Sequence, residues 1–176
     1  MRKIVGFILG LLMASLSWAD AVAVVETHDS MAQEIVSHLN RFRATHGLPP
    51  LVLNPVISQE ARVHSQEMAR HVVPFGHDGF PRRLSHLVHT IPNANGGAEN
   101  VAYNYKTAKI VAEGWINSPG HRKNILGRYN LTGIGIVRDS AGKLYYTQLF
   151  LRTENPPMQH ARLHGHRSRS IFVTAG

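Results

Sequence analysis

Two histidines and one glutamate stand in separate polar stretches of the sequence and together could do chemistry. His77 lies in a glycine-rich stretch, Glu99 directly precedes an asparagine, and His121 follows a proline–glycine pair. Two imidazoles and a carboxylate bind Zn²⁺ and leave one coordination position open, where the metal activates a water molecule. Tyr145 or Tyr146 would then serve as a nearby proton donor. The three residues are therefore the candidate metal ligands of this chain, with zinc as the candidate cofactor.

Two other interpretations of the same residues remain open at this point. In one, Glu99 is buried and accepts hydrogen bonds from backbone N–H groups and histidine side chains, since a buried carboxylate needs such partners. In the other, a histidine and the carboxylate act as acid and base without a metal. Spacing along the chain does not decide among the three, because only tertiary folding brings the side chains together.

Other polar and aromatic residues in these stretches are expected to serve the structure. Trp115 lies on the apolar face of a helix and is expected in the core. Gln148 lies in the middle of a strand, and its side chain is expected to bond to the segment around Glu99. Ser118 precedes a proline at a helix end and lacks the motif of a nucleophile elbow. No catalytic residue is assigned.

Helices and two strands must position these side chains. Apolar residues at helical spacing, with capping residues before them and glycine or proline after them, predict helices over 30–46, 54–73, 81–89, 107–117 and 121–126. The segment 75–80 is expected to be a turn-rich loop, and 93–97 a flexible approach to Glu99. Strands are predicted at 131–137 and 144–151, with Gly133 and Gly135 indicating close approach of a helix.

The N-terminus predicts export. Arg2 and Lys3 precede a short apolar run, and Ser17-Trp18-Ala19 fits a cleavage site, so residues 1–19 are expected to be a signal peptide. The chain of 176 residues has no cysteine, which excludes disulfides and cysteine-linked lipid. Its formal charge of +8 comes from scattered lysines and arginines without a nucleic-acid recognition motif, so no nucleic-acid partner is expected.

Several motifs, taken in order, resemble the CAP superfamily, which comprises cysteine-rich secretory proteins, antigen 5 and plant pathogenesis-related proteins. The resemblance covers residues 33–151 and is strongest to the cysteine-free bacterial branch. The motifs that carry it are Asn40-Arg41-Phe42-Arg43, Phe75-Gly76-His77-Asp78, Gly97-Ala98-Glu99-Asn100-Val101-Ala102, Ser118-Pro119-Gly120-His121-Arg122, Gly133-Ile134-Gly135-Ile136 and Tyr145-Tyr146-Thr147-Gln148.

The resemblance implies an α+β fold, a three-layer α–β–α sandwich around a small antiparallel sheet with a surface cavity. In the eukaryotic branch two histidines and two glutamates line that cavity, and His77 and Glu99 match the first of each. Ser118 stands at the position of the second glutamate and Tyr145 at that of the second histidine. His121 resembles a histidine typical of the bacterial branch. The expected cavity set is therefore His77, Glu99, His121, Tyr145 and Gln148.

Two functions follow from these expectations. The first is a non-enzymatic extracellular or envelope binding module whose cavity takes a lipid-like ligand or a partner. The second is a metal-dependent hydrolase that acts on peptide or cell-envelope material through His77, Glu99 and His121. With either function, the protein is expected to be secreted or periplasmic and monomeric. It is expected to have no membrane anchor after the signal peptide is cleaved. Its CAP domain would span 30–152, and 153–176 would form a basic, histidine-rich tail.

Overall fold

The computed structural model of the chain describes residues 18–154, with side chains from residue 28 onwards. Five helices and four strands follow one another as α1 Trp18–Thr45, β1 Val52–Leu53, α2 Pro55–Ala69, α3 Phe80–Thr90, β2 Ala94–Tyr103, α4 Ala108–Asn117, α5 Pro119–Ile125, β3 Leu131–Arg138 and β4 Leu144–Thr153. Residues 1–17 of the expected signal and 155–176 of the expected tail lie outside the described residues.

The four strands form one mixed sheet in the order β1-β3-β4-β2. β4 pairs antiparallel with both β3 and β2, whereas the two residues of β1 run parallel to β3. The expectation of a wholly antiparallel sheet is corrected by β1. The expectation of a flexible segment at 93–97 is also wrong, because these residues lie in or directly before β2.

Helices cover both faces of the sheet, which confirms the three-layer α+β architecture. Alternate residues of β4 point to opposite sides, as a strand requires. On one side Tyr146 and Phe150 join a core with residues of α1, α4 and α5. On the other side Leu149 and Leu151 pack with α2 and α3. Trp115 is 1% exposed in the first of these cores, in accord with its expected place.

Glycines in β3 allow α2 to lie directly on the sheet. A Cβ at Gly133 would collide with the backbone of Ile57 and Ser58, and one at Gly135 with the backbone of Ala61 and Arg62. The glycine pair of this strand therefore sets the distance between sheet and helix, as its sequence suggested.

The first helix is longer than its capping signal predicted. α1 begins at Trp18, so Ser30 lies inside the helix and does not begin it. Residues 18–29 contain neither proline nor glycine, and nothing in them stops the helix from continuing toward the N-terminus. By contrast, Asn54 does begin α2, because its Oδ1 accepts hydrogen bonds from the amides of Val56 and Ile57. Within residues 18–154 no helix is long and apolar enough to cross a membrane.

Candidate functional site

A cavity of about 610 Å³ opens between the loop that follows α2, the end of β2, and helices α4 and α5. His77 and His121 both line it, and so does Ser118. The remaining wall is largely apolar or aromatic. It comprises Phe75, Gly76, Val101, Ala102, Tyr103, Tyr105, Gly114 and Trp115.

Glu99 lies beside this cavity and is bound by two side chains. Its Oε1 lies 2.9 Å from His77 Nδ1, and its side chain is 1% exposed while that of His77 is 53% exposed. Arg83 Nε donates to Glu99 Oε2 and Arg83 Nη2 to Glu99 Oε1, both at 2.9 Å. Because the carboxylate is acceptor-only, Nδ1 of His77 carries the proton in this pair.

Arg83 is the main residue of this site that sequence reasoning missed. It is 4% exposed, and its Nη1 also donates to the carbonyl of Asp78, in the loop that carries His77. Arg82 and Arg83 stand side by side in the predicted helix 81–89, and the sequence does not distinguish them. A partial signal was available: a buried glutamate needs hydrogen-bonding or charged partners, and the predicted helix 81–89 offers two arginines.

A second histidine, which lies on α2, holds the loop of residues 74–78 in place. His64 of α2 is fully buried, and its Nε2 lies 2.9 Å from the carbonyl oxygen of Gly76. Since a carbonyl accepts, Nε2 of His64 donates this hydrogen bond. This bond sets the residue directly before His77, so α2 and Glu99 together position the His77 ring.

His121 is positioned by a link between α5 and β2. Asn124 Nδ2 donates to the carbonyl of Glu99 at 3.0 Å and to Asn100 Oδ1 at 2.9 Å, which fixes α5 against the strand. Burial, followed by the charge of His77, lowers the pKa of His121 below its ordinary value of 6.5. The lowered pKa favours the neutral form of His121 at neutral pH.

The aromatic wall depends on a glycine in α4. A Cβ at Gly114 would lie 2.8 Å from the hydroxyl oxygen of Tyr105, so a larger residue would displace that ring from the cavity. The indole of Trp115 is fixed as well, because its Nε1 donates to the carbonyl of Val101 at 3.2 Å. Gly114 costs the helix about 1 kcal/mol of stability relative to alanine. The packing of the Tyr105 ring against it offsets this cost.

Two residues expected in the cavity lie elsewhere. Gln148 is fully buried, its Nε2 donates to Thr132 Oγ1 at 3.1 Å, and its Oε1 has no partner among the described residues, so the expected bond to the Glu99 segment is absent. The reason is orientation, because Gln148 and Glu99 point to opposite faces of the sheet. Tyr145 does not line the cavity either, but its ring lies 4.7 Å from that of Tyr103, which does.

The donor set does not fit a metal ion. Both oxygens of Glu99 accept bonds from the guanidinium of Arg83, whose positive charge opposes a cation at the same carboxylate. Among residues 18–154, no group of three or more His, Cys, Asp or Glu side chains lies close enough together to hold a metal. The geometry matches the polar cluster among the interpretations of Glu99, with Arg83 in place of the expected backbone amides.

Comparison with known proteins finds relatives of this chain. The sequence model of the cysteine-rich secretory protein family, CAP, matches residues 36–150. The chain is 33% identical over 124 residues to the Bacillus subtilis protein YkwD. It is 31% identical over 125 residues to YlbC, a membrane protein of the same organism. Each match covers 68% of this chain. An extracellular Bacillus anthracis protein with an SCP domain has a similar solved structure, with 28% identity, a TM-score of 0.62 and 71% of this chain covered.

The match extends over only part of each of these proteins. It covers 46% of YkwD, 34% of YlbC and 41% of the Bacillus anthracis chain. The described domain therefore corresponds to less than half the length of each.

Proposed function

Because the chain belongs to the cysteine-rich secretory protein family, CAP, we propose that it is a secreted, non-enzymatic binding module. Its cavity would take a lipid-like ligand outside the cell or in the cell envelope. The extracellular SCP-domain protein of Bacillus anthracis supports this location, as does the expected signal at residues 1–19. The basic tail that follows β4 would stay separate from the binding function.

The bonding of Glu99 is the observation that carries this proposal. A hydrolase of the metal-dependent type needs a carboxylate that binds the metal or receives a proton from water. Glu99 is paired with the cation of Arg83 and hydrogen-bonded to His77, and both of its oxygens already accept bonds, which disfavours either task. The side chain instead holds loop 74–78 and α3 against β2, which gives the cavity a rigid edge.

The wall of the cavity supports an apolar ligand. Aromatic rings and small apolar side chains form most of it, while the polar groups at its edge are two imidazoles and the Ser118 hydroxyl. The imidazoles of His121 and of the exposed His77 would orient a hydroxyl or an amide of the ligand. A few directed hydrogen bonds on an apolar wall are typical of small-molecule sites.

Tryptophan fluorescence offers a direct test of ligand entry, because Trp115 lines the cavity. The chain has two tryptophans, and Trp18 lies within the expected signal, so Trp115 is the single reporter in protein that begins at Asp20. A brominated single-chain alcohol, which quenches indole at contact, should quench this protein in a saturable manner. Ser118→Phe should block the cavity and abolish the quenching. Ser85→Phe, at an exposed position of α3 outside the cavity, should leave it intact. Equal quenching in both serine variants would refute the proposal.

Zinc titration separates the binding module from the hydrolase. Calorimetry of chelator-treated protein should show no stoichiometric Zn²⁺ binding, in the wild type or in His77→Ala. Stoichiometric binding that is lost in His77→Ala, His121→Ala and Glu99→Gln, together with zinc-dependent cleavage of envelope material, would establish the hydrolase instead.

A further inference from the structure

A second cavity, of about 590 Å³, lies where β1, the end of β4 and the segment before β3 meet. Three arginines line it, and none of its other lining residues is acidic. We call this the arginine cavity and define it by Arg43, Arg128 and Arg152. It shares no lining residue with the cavity of His77 and His121.

Arg43 gives the arginine cavity a buried positive charge. The side chain is fully buried in the last turn of α1, and its five N–H groups are all used. They donate to the carbonyl oxygens of Pro49, Ile125, Gly127 and Tyr129 at 2.6–3.1 Å. Carbonyls satisfy the hydrogen bonds but carry no net charge, and among residues 28–154 no carboxylate pairs with this cation.

Arg128 and Arg152 add two exposed guanidinium groups at the rim. Within residues 28–154 neither forms an ion pair, and Arg128 makes no hydrogen bond. Arg152 Nε donates to Asn95 Oδ1 at 2.6 Å. Asn95 also donates through its Nδ2 to the carboxylate of Glu154. Glu154 itself does not pair with Arg152. Both arginines thus retain N–H donors for an incoming anion.

The rest of the arginine cavity is apolar. Leu48, Pro49, Pro50, Val52 and the ring of Tyr129 supply the wall. A ligand that fits must combine an anionic group with an apolar one. A carboxylate and a phosphate both pair with the planar fork of a guanidinium through two bonds. The carboxylate carries a single charge, so it loses less hydration beside an apolar wall than a dianionic phosphate does.

We infer that the arginine cavity binds a carboxylate that terminates an apolar chain, with Arg128 and Arg152 holding the carboxylate and the wall at Val52 and Tyr129 receiving the chain. Two sources carry this chemistry: a single-chain amphiphile, and the C-terminal end of an apolar peptide. Both present one carboxylate on a flexible apolar segment, and the size of the cavity suits either.

Calorimetric titration of the full chain with matched probes tests this inference. The probes are decanoate against decanol, and the peptide N-acetyl-Val-Leu-Phe with a free carboxylate against its amide. At least one carboxylate probe should bind at a single site, at least tenfold more tightly than its neutral counterpart. Arg128→Ala and Arg152→Ala should each weaken it about tenfold, the effect of losing a charged hydrogen bond. Arg82→Ala removes an exposed arginine outside the cavity and should change nothing.

The outcomes are distinguishable from one another. Binding of decanoate alone identifies an amphiphile site, and binding of the peptide acid alone identifies a site for chain ends. No binding of either carboxylate at millimolar concentration overturns the inference. So do equal affinities for charged and neutral probes, or an equal loss in Arg82→Ala, which would indicate only general charge attraction. Val52→Asp, which places an anion in the apolar wall, should abolish binding while leaving the quenching of Trp115 unchanged.

Discussion

Removing the charge of Glu99 should destabilise the domain far more than removing the charge of an exposed carboxylate. Glu99→Gln keeps the size of the side chain but leaves the guanidinium of Arg83, which is 4% exposed, without its anion. Breaking a buried ion pair from one side costs about 3–5 kcal/mol, because the remaining charge stays buried. We expect a loss near the lower end of this range, since the amide oxygen of glutamine still accepts one bond from Arg83.

The matched control is the exposed pair of Arg62 and Asp29, whose side chains are 27% and 58% exposed. Asp29→Asn should cost less than about 1 kcal/mol, because solvent screens the pair. Urea unfolding followed by tryptophan fluorescence gives both free energies by linear extrapolation. The double variant Arg83→Met with Glu99→Leu should recover most of the stability, since an apolar pair replaces both charges. A loss of under about 1 kcal/mol for Glu99→Gln, equal to that of Asp29→Asn, would refute the account of the site.

Three further predictions concern packing, pH and export. Gly135→Ala should destabilise the domain by about 1–3 kcal/mol, because the added Cβ meets the backbone of α2. Gly120→Ala should not destabilise it, because there is open space around Gly120. Urea unfolding of both variants measures the difference. Because the pKa of His121 is lower in the folded chain, the unfolded chain takes up this proton at a higher pH as the solution is acidified. The contribution of His121 to the free energy of unfolding is therefore present above pH 6.5 and is lost as pH falls through the folded pKa. His121→Asn should flatten that part of the stability profile, and an unchanged slope would contradict the burial of the ring. Mass spectrometry of exported protein should find a chain that begins near Asp20; retention of Met1 would contradict cleavage.

The sequence predicted the helices and the glycine-dependent contact of β3 with α2, because these depend on local patterns. It did not predict β2, since the glycines at 96 and 97 hide the alternation typical of a strand. Gly97 is required there because a Cβ would lie 2.5 Å from the carbonyl oxygen of Phe150. A close contact of this kind between distant parts of the chain produces no periodic pattern in the sequence.

Prediction of the candidate site was limited by the same physics. His77 and Glu99 are in direct contact, and His121 lines the same cavity as His77, in line with the expectation that separate stretches meet. The partner that decides the chemistry of Glu99 is Arg83, which comes from a helix whose arginines look alike in sequence. Gln148 failed as a cavity residue because strand orientation, and not chain distance, decides which face a side chain occupies.

The bonds that Asn124 and Trp115 make to β2 have a consequence for aggregation. β2 is an edge strand, and unpaired carbonyls on such an edge are a template on which another chain can add a strand. Side chains already occupy two of them, at Glu99 and Val101, so the residues that shape the cavity also keep neighbouring molecules from pairing there. At the other edge the side chain of Asn40 binds both backbone groups of Leu51 in the same way. Substituting Asn124 to alter ligand preference would therefore also expose the sheet to self-association.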